Sequence, residues 1–162
     1  MGFFSLITCY DDNRLIGIDG QLPWHLPEDM QRFVEITKNK TIVMGKATYD
    51  SIGHPLPDRL NIVLTSDKSF KAKGVQVIRS IDSLLNLKPF HGEIVVIGGA
   101  RLYSDMLLFC NRMYLTRYNR AIDVPKNSKA TYFPEWNPNE WRLARYDCTT
   151  RKDCEFIDFV RA

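Results

Sequence analysis

The segment IGIDGQLPWHLPEDM, residues 16–30, carries near its end a carboxylate, Asp29, placed where it can do chemistry. Pro27 suits the first position of a helix, where its missing N–H costs nothing. Glu28 and Asp29 then fall in the first turn, where acids favour the helix dipole. For Glu28 that account suffices. Rolled out at about 100° per residue, the helix expected over Pro27–Lys38 gathers Met30, Phe33, Val34, Ile36 and Thr37 on one arc with Asp29 inside it. Glu28, Gln31, Arg32, Glu35, Lys38 and Asn39 take the remaining surface, so Asp29 reads as the only charged side chain facing inward. A desolvated carboxylate costs several kcal/mol unless it is paired or hydrogen-bonded. Either a basic partner from elsewhere in the chain satisfies it, or a ligand does. Pro23, Trp24 and the GIDG turn favour the ligand, since they offer a wall and a movable flap beside an apolar slot.

A second group of residues suits phosphate. In TIVMGKATYDS a strand ends at Gly45 and Lys46-Ala47-Thr48 opens the next segment, whose free N–H groups suit an anion. In IVVIGGARLY, Gly98-Gly99 follow a strand at once and Arg101 lies in the next turn. Neither stretch is a G-x-G-x-x-G or a P-loop, and a lone Gly-Gly also serves as a tight packing turn. Lys46, Ser66 and Arg101 nevertheless each follow a separate strand, and Arg79 has a comparable place after VQVI. All four then share the carboxyl edge of a parallel sheet, where ligands bind. Such a set holds a phosphate dianion, Arg in bidentate fashion and Ser through its hydroxyl. Unrelated surface groups are the competing account. His25, His54 and His91 share no metal-ligand spacing, and no G-x-S-x-G or H-E-x-x-H appears, so metal hydrolysis and serine nucleophile chemistry lack support.

The elements that must position these residues alternate. Strands are expected at Phe4–Tyr10, Thr41–Met44, Asn61–Thr65, Val75–Ile78, Glu93–Ile97 and Arg112–Tyr118. Helices are expected at Pro27–Lys38, after Lys46, at Ile81–Leu87 behind the cap Ser80, and at Ala100–Phe109. Continuous apolar runs such as TIVMG and EIVVIGG fit strands buried on both faces of a parallel sheet. Trp141–Asp147 and Cys154–Arg161 read as a closing hairpin across CTTRKD, and residues 119–131 as a polar loop. The expectation is one α/β domain over residues 1–162. Its central, mostly parallel twisted sheet has about eight strands, an antiparallel C-terminal edge strand and about four flanking helices.

With 162 residues, 44% hydrophobic and 25% charged, the chain can bury a core without staples. The four cysteines are irregularly spaced and read as reduced, mostly buried thiols. No apolar run approaches the ~20 residues of a membrane span, and the N-terminus lacks signal-peptide features, so a cytoplasmic protein with no membrane partner is expected. A net charge of +3 without a Lys/Arg block suits an anionic small ligand at least as well as nucleic acid. Nothing in the sequence argues for an interface, and a monomer is expected.

Taken in order, NRLIGIDGQLPWHLPEDM, TIVMGKATYDSIGHPLPDR, NIVLTS, VIGGARLY, YLT and YFPEW resemble the dihydrofolate reductases of bacterial chromosomal type, across nearly the whole chain. The resemblance implies NADPH-dependent hydride transfer to 7,8-dihydrofolate, giving tetrahydrofolate for one-carbon metabolism. It also implies binding of antifolate inhibitors and no nucleic-acid partner. Asp29 would hydrogen-bond the 2-amino group and N3 side of the pterin, with Thr116 supporting it, and the proton for N5 would come from water. Ile7, Cys9, Met30, Phe33 and Ile97 would line the pterin pocket, Ser51 and Ile52 would flank the p-aminobenzoyl group, and Arg59 would clamp the glutamate α-carboxylate. Leu22, Trp24 and Tyr103 would neighbour the reacting rings. Lys46, Ser66, Arg79 and Arg101 would bind the cofactor's 2′-phosphate region, with Thr48 and Gly98-Gly99-Ala100 on the pyrophosphate and the Gly98-Gly99 bond cis. Ile16, Gly17, Gly20, Gln21, Gly45, Ala47, Leu64, Thr65 and Leu102, with Cys9 and Ile97 again, would complete the cofactor site.

Departures from the family pattern are specific. Many bacterial relatives carry Gly-Asp-Thr where this chain has Lys129-Ala130-Thr131. The acid that would hold the flap at 17–22 closed is therefore missing, which puts closed-flap stability and turnover in question. Leu22, Tyr49 and Asp58 replace a frequent Met, Trp and Gly and are expected to be tolerated. A pyrimidine reductase of related fold would not need the Trp24–Asp29 spacing or Arg59. A basic nucleotide- or RNA-binding module would leave Asp29 dispensable and bind with a steep salt dependence.

Overall fold

The computed structural model describes residues 3–87, 92–148 and 153–162, so His91 and residues 149–152 lie outside it. In chain order the elements are β1 Phe3–Tyr10, β2 Leu15–Ile18, α1 Pro27–Thr37, β3 Thr41–Gly45, α2 Lys46–Ile52, β4 Leu60–Leu64, β5 Val75–Ile78, α3 Ile81–Leu85, β6 Glu93–Val96, α4 Ala100–Met106, β7 Cys110–Tyr118, β8 Ala130–Tyr132, β9 Trp141–Asp147 and β10 Cys154–Arg161. Eight strands form one sheet in the order β5-β4-β3-β6-β1-β7-β10-β9. From β5 to β7 every neighbouring pair is parallel. β10 inserts antiparallel between β7 and β9, leaving β9 as the edge.

The strands are apolar on both sides because both sides are covered. Leu6, Val43, Ile62 and Val96 point into one core with Leu84 of α3 and Leu102, Tyr103 and Met106 of α4. Their chain neighbours Ile7, Ile42, Val63 and Val95 point into the other, against Phe33 and Ile36 of α1 and Tyr49 and Ile52 of α2. The two-residue strand period divides one apolar run between two cores.

Three expectations need correction. The helix expected over Ala100–Phe109 ends at Met106, and Leu107–Phe109 tighten into a 3-10 turn. β2 and β8, each too short to show a period, form a separate antiparallel pair, so the loop over 119–131 gives its end to a strand. On α1 the inward arc is rotated. Met30 and Val34 are exposed, at 51% and 45%, whereas Arg32 is buried at 7%. Asp29 is therefore not the only inward charge. Arg32 tolerates burial because its guanidinium is satisfied: Nη2 donates to Asp158 of β10, Nη1 donates to the Leu115 carbonyl at 3.1 Å, and the group lies 4.6 Å from the Phe156 ring centroid.

Candidate active site

The parallel register brings the ends of β1 and β7 together and pairs Cys9 with Thr116, while β10 sets Phe156 against Thr116 from the other side. Asp29, in the first turn of α1, faces this point. Burial is the largest influence on its carboxyl and pushes the pKa up; the Thr116 hydroxyl, the Arg32 charge and the Cys9 thiol pull it partly back. The Cys9 thiol is pushed up by burial first and by the Asp29 charge second. No salt bridge reaches Asp29 among the described residues, and Arg32, the nearest cation by its effect, is committed to Asp158.

Two buried polar atoms lack partners at the same place. Thr116 is 1% exposed. Its Oγ1 lies near enough to stabilise the Asp29 charge, yet it completes no hydrogen bond of normal length with the protein. Trp24 Nε1 is also unpartnered, its ring tilted on Tyr118 at 5.4 Å between centroids, and it packs in a small cluster with Cys9, Leu26, Cys154 and Phe156. A hydroxyl, an indole N–H and a desolvated carboxylate thus converge on one wall. Such groups are costly to leave unpaired, and a flat ligand offering both donors and acceptors would pair them.

Ile7 is buried, Phe33, Ile52 and Ile97 are partly buried, and Met30 is the exposed member of the expected lining. At the far end of α1, Thr37 orients Arg59: Arg59 Nε donates to Thr37 Oγ1 at 2.9 Å, and Nη1 donates to the Pro57 carbonyl. Nη2 donates no hydrogen bond among the described residues.

The cofactor-like groups are gathered on the sheet's carboxyl edge. Gly98-Gly99 is joined by a cis bond, and the Gly98 carbonyl accepts from Gly45 N–H at 2.8 Å, tying the start of α2 to that of α4. A Cβ on Gly98 would lie 3.4 Å from both Thr48 Oγ1 and the Tyr103 hydroxyl, and one on Gly99 3.3 Å from Thr48 Oγ1. These glycines keep the backbone open where a ligand can approach it. Tyr103 is buried, donates to the Ile7 carbonyl at 2.7 Å and packs edge-on against Phe133. Burial raises its pKa, so its hydroxyl stays neutral.

Lys46, Ser66, Arg79 and Arg101 follow four different strands as expected, but two of them have a partner that the sequence reading missed. Asp67 pairs with Lys46, Nζ to Oδ2 at 3.0 Å, and its backbone carbonyl accepts from Arg79 Nη1. Arg101 is almost fully exposed, with Asp105 at 3.8 Å.

The flap is anchored despite the missing acid. β2 pairs with β8, Gly17 opposite Thr131 and Ile18 opposite Ala130. Asp19 N–H donates to the Lys129 carbonyl at 2.8 Å, and Asp19 Oδ1 accepts from Lys129 N–H at 2.8 Å. The carboxylate in this contact belongs to the flap itself. Ile18 and Gln21 close the turn through two mutual backbone bonds at 2.9 Å, and Ser51 Oγ donates to the Gly20 carbonyl at 2.7 Å. Leu22 stays 54% exposed, at the end of this anchored turn.

A family model described as Dihydrofolate reductase matches residues 3–161. The protein named Dihydrofolate reductase of Bacillus subtilis is 37% identical over 155 residues, covering 96% of this chain and 89% of that protein. Dihydrofolate reductase type 3 of Salmonella typhimurium is 38% identical over 162 residues, 97% of each. Among solved structures, dihydrofolate reductase from Enterococcus faecalis complexed with NADP(H) and RAB-propyl superposes with a TM-score of 0.87 at 30% identity, covering 98% of this chain and 96% of that one.

Proposed function

This chain belongs to the dihydrofolate reductase family and is an NADPH-dependent oxidoreductase that reduces 7,8-dihydrofolate to tetrahydrofolate; from that premise we propose which of its residues carry the reaction. The observation that carries the assignment is the convergence of the desolvated Asp29 carboxylate with Thr116 Oγ1 and Trp24 Nε1, two buried polar atoms without a hydrogen-bond partner.

Asp29 accepts hydrogen bonds from the 2-amino and N3 side of the pterin, and those donors replace the solvation that its carboxylate has lost. Thr116 steadies the carboxylate from β7. Ile7, Cys9, Met30, Phe33 and Ile97 line the ring's slot, Ser51 and Ile52 flank the p-aminobenzoyl group, and Arg59, already aimed by Thr37, binds the α-carboxylate. NADPH, when bound, supplies the hydride. The residues present fit it: the Gly98-Gly99 cradle is clear of Cβ atoms beside Thr48, and Lys46, Ser66, Arg79 and Arg101 offer cations and a hydroxyl for the 2′-phosphate region. Ala100, Leu102, Gly45, Ala47, Leu64 and Thr65 surround those groups. On the flap side Ile16, Gly17, Gly20, Gln21 and Leu22 cover the nicotinamide and limit access of water, and Tyr103 closes the wall behind it. Water delivers the proton to N5.

We further assign one functional unit over residues 1–162, acting as a cytoplasmic monomer whose folate cleft also accepts antifolate inhibitors. The test is the loss of nicotinamide absorbance with dihydrofolate, using NADPH, NADH and the Asp29→Asn variant. Rapid loss with NADPH, slower loss with NADH and near-abolition in the variant support the assignment. Near-normal turnover in a folded Asp29→Asn protein would overturn it.

A further inference from the structure

Asp67 stands among the groups assigned to the 2′-phosphate, directly after Ser66. Its Oδ2 takes Lys46 Nζ at 3.0 Å, while Oδ1 accepts from Ser69 N–H at 2.9 Å and Ser69 Oγ at 2.6 Å. Its own N–H donates to Thr65 Oγ1 at 3.1 Å, and Arg79 grips its backbone carbonyl. The carboxylate is therefore fixed by its neighbours and cannot swing away without breaking the loop's own hydrogen bonds. The Ser69 bonds lead in stabilising its charge, with Lys46 adding to them, and hold its pKa down at about 2. It is ionised at every working pH.

We infer that Asp67 is a specificity-determining residue that opposes the phosphorylated nicotinamide dinucleotide by occupying Lys46 and presenting a like charge to the 2′-phosphate. The inference rests on the assignment of Lys46, Ser66, Arg79 and Arg101 as the phosphate-binding set. A dianion reaching Lys46 must share that ammonium with a carboxylate or displace it, and such a repulsive element acts on one ligand only. Toward a dinucleotide with a bare ribose the same carboxylate is an acceptor for the 2′-hydroxyl, the role that acids play in NAD sites of other folds. The arrangement thus narrows the gap between NADPH and NADH from both ends.

The test compares kcat/KM for NADPH and NADH in the full-length enzyme and in Asp67→Asn, with Asp67→Ser as a second variant and Lys46→Gln as a control. Asn keeps an oxygen for Ser69 and removes the charge. The expected result is a rise in the NADPH-to-NADH ratio of roughly tenfold, the order expected for one partly exposed like-charge contact, read in KM for NADPH and not in KM for dihydrofolate. Binding of 2′,5′-ADP should tighten in parallel, whereas binding of 5′-AMP should not. An unchanged ratio in both Asp67 variants overturns the inference. A fall overturns it too, because it would mean that Asp67 merely positions Lys46. Loss of NADPH preference in Lys46→Gln supports the underlying phosphate site, and an unchanged preference there removes that site and the inference with it.

Discussion

Arg32 of α1 and Asp158 of β10 form an ion pair with both side chains more than nine-tenths buried. The pair fixes the helix that carries Asp29 to the strand next to Thr116, and Arg32 adds a second tie to the Leu115 carbonyl. Removing one partner leaves an uncompensated buried charge, at a cost of about 3–5 kcal/mol. Denaturant unfolding of Asp158→Leu and Arg32→Met should show that loss. The double variant Arg32→Met/Asp158→Leu should recover most of it, giving a large coupling in the double-mutant cycle. Additive single costs would show that the two groups do not act as a pair.

Asp29 should trade stability for function. Burial raises its pKa in the folded chain above that of the unfolded one. Between those two values the folded state holds the extra proton, and stability falls as pH rises through that window. Above that window the ionised carboxylate is therefore a net cost to the fold. Asp29→Asn is expected to unfold at a slightly higher temperature while turnover drops by about 10²–10⁴-fold. Calorimetry and steady-state rates on the same sample check both halves; a variant that loses stability along with activity would point to a structural acid.

The flap anchor gives a different signature. Asp19 Oδ1 to Lys129 N–H is an exposed hydrogen bond, worth about 1 kcal/mol, or roughly fivefold in the ordered fraction of the segment. Asp19→Ala should leave global unfolding almost unchanged, speed amide exchange over residues 16–22 and reduce turnover by a similar factor. If exchange in that stretch does not change, β2–β8 pairing alone holds the flap.

Gly98 has a φ of 125°, a conformation strained for any L side chain at about 1–3 kcal/mol. An added Cβ also meets Thr48 Oγ1 and the Tyr103 hydroxyl. Gly98→Ala should raise KM for NADPH far more than KM for dihydrofolate, since Asp29 and Arg59 lie on α1 and after α2, away from this turn. Equal effects on both constants would place the damage in the core instead.

What the sequence made legible follows from how each signal is encoded. Buried parallel strands announce themselves because both faces must be apolar, so Ile42, Val43 and Met44 form an unbroken run. Asp29 was visible because an acid among apolar neighbours in a helix breaks a local pattern. Arg32 was not: an arginine three residues further on looks like a solvated face, and its partner lies 126 positions away. Asp19 and Asp67 hid for a related reason, being acids in polar turns whose partners are backbone N–H groups or a lysine brought in by folding. The short pair β2–β8 carries too few residues for any period to emerge. Met30 misled because an apolar residue at the lip of an open cleft counts as buried in a helical projection.

The long separation between Arg32 and Asp158 also sets an order of events during synthesis. Residues are added from the N-terminus, so α1 with its acid and its arginine exists well before β10 is made. Until that strand docks between β7 and β9, Arg32 lacks its counter-ion, and α1 is held to the sheet by its Leu115 bond and its apolar packing alone. Most of the sheet can pair in that interval, but Thr116 still lacks the strand that sets Phe156 against it. The wall that carries Asp29 and Thr116 is therefore complete only with β10, which brings both the counter-ion of Arg32 and the Phe156 ring to it.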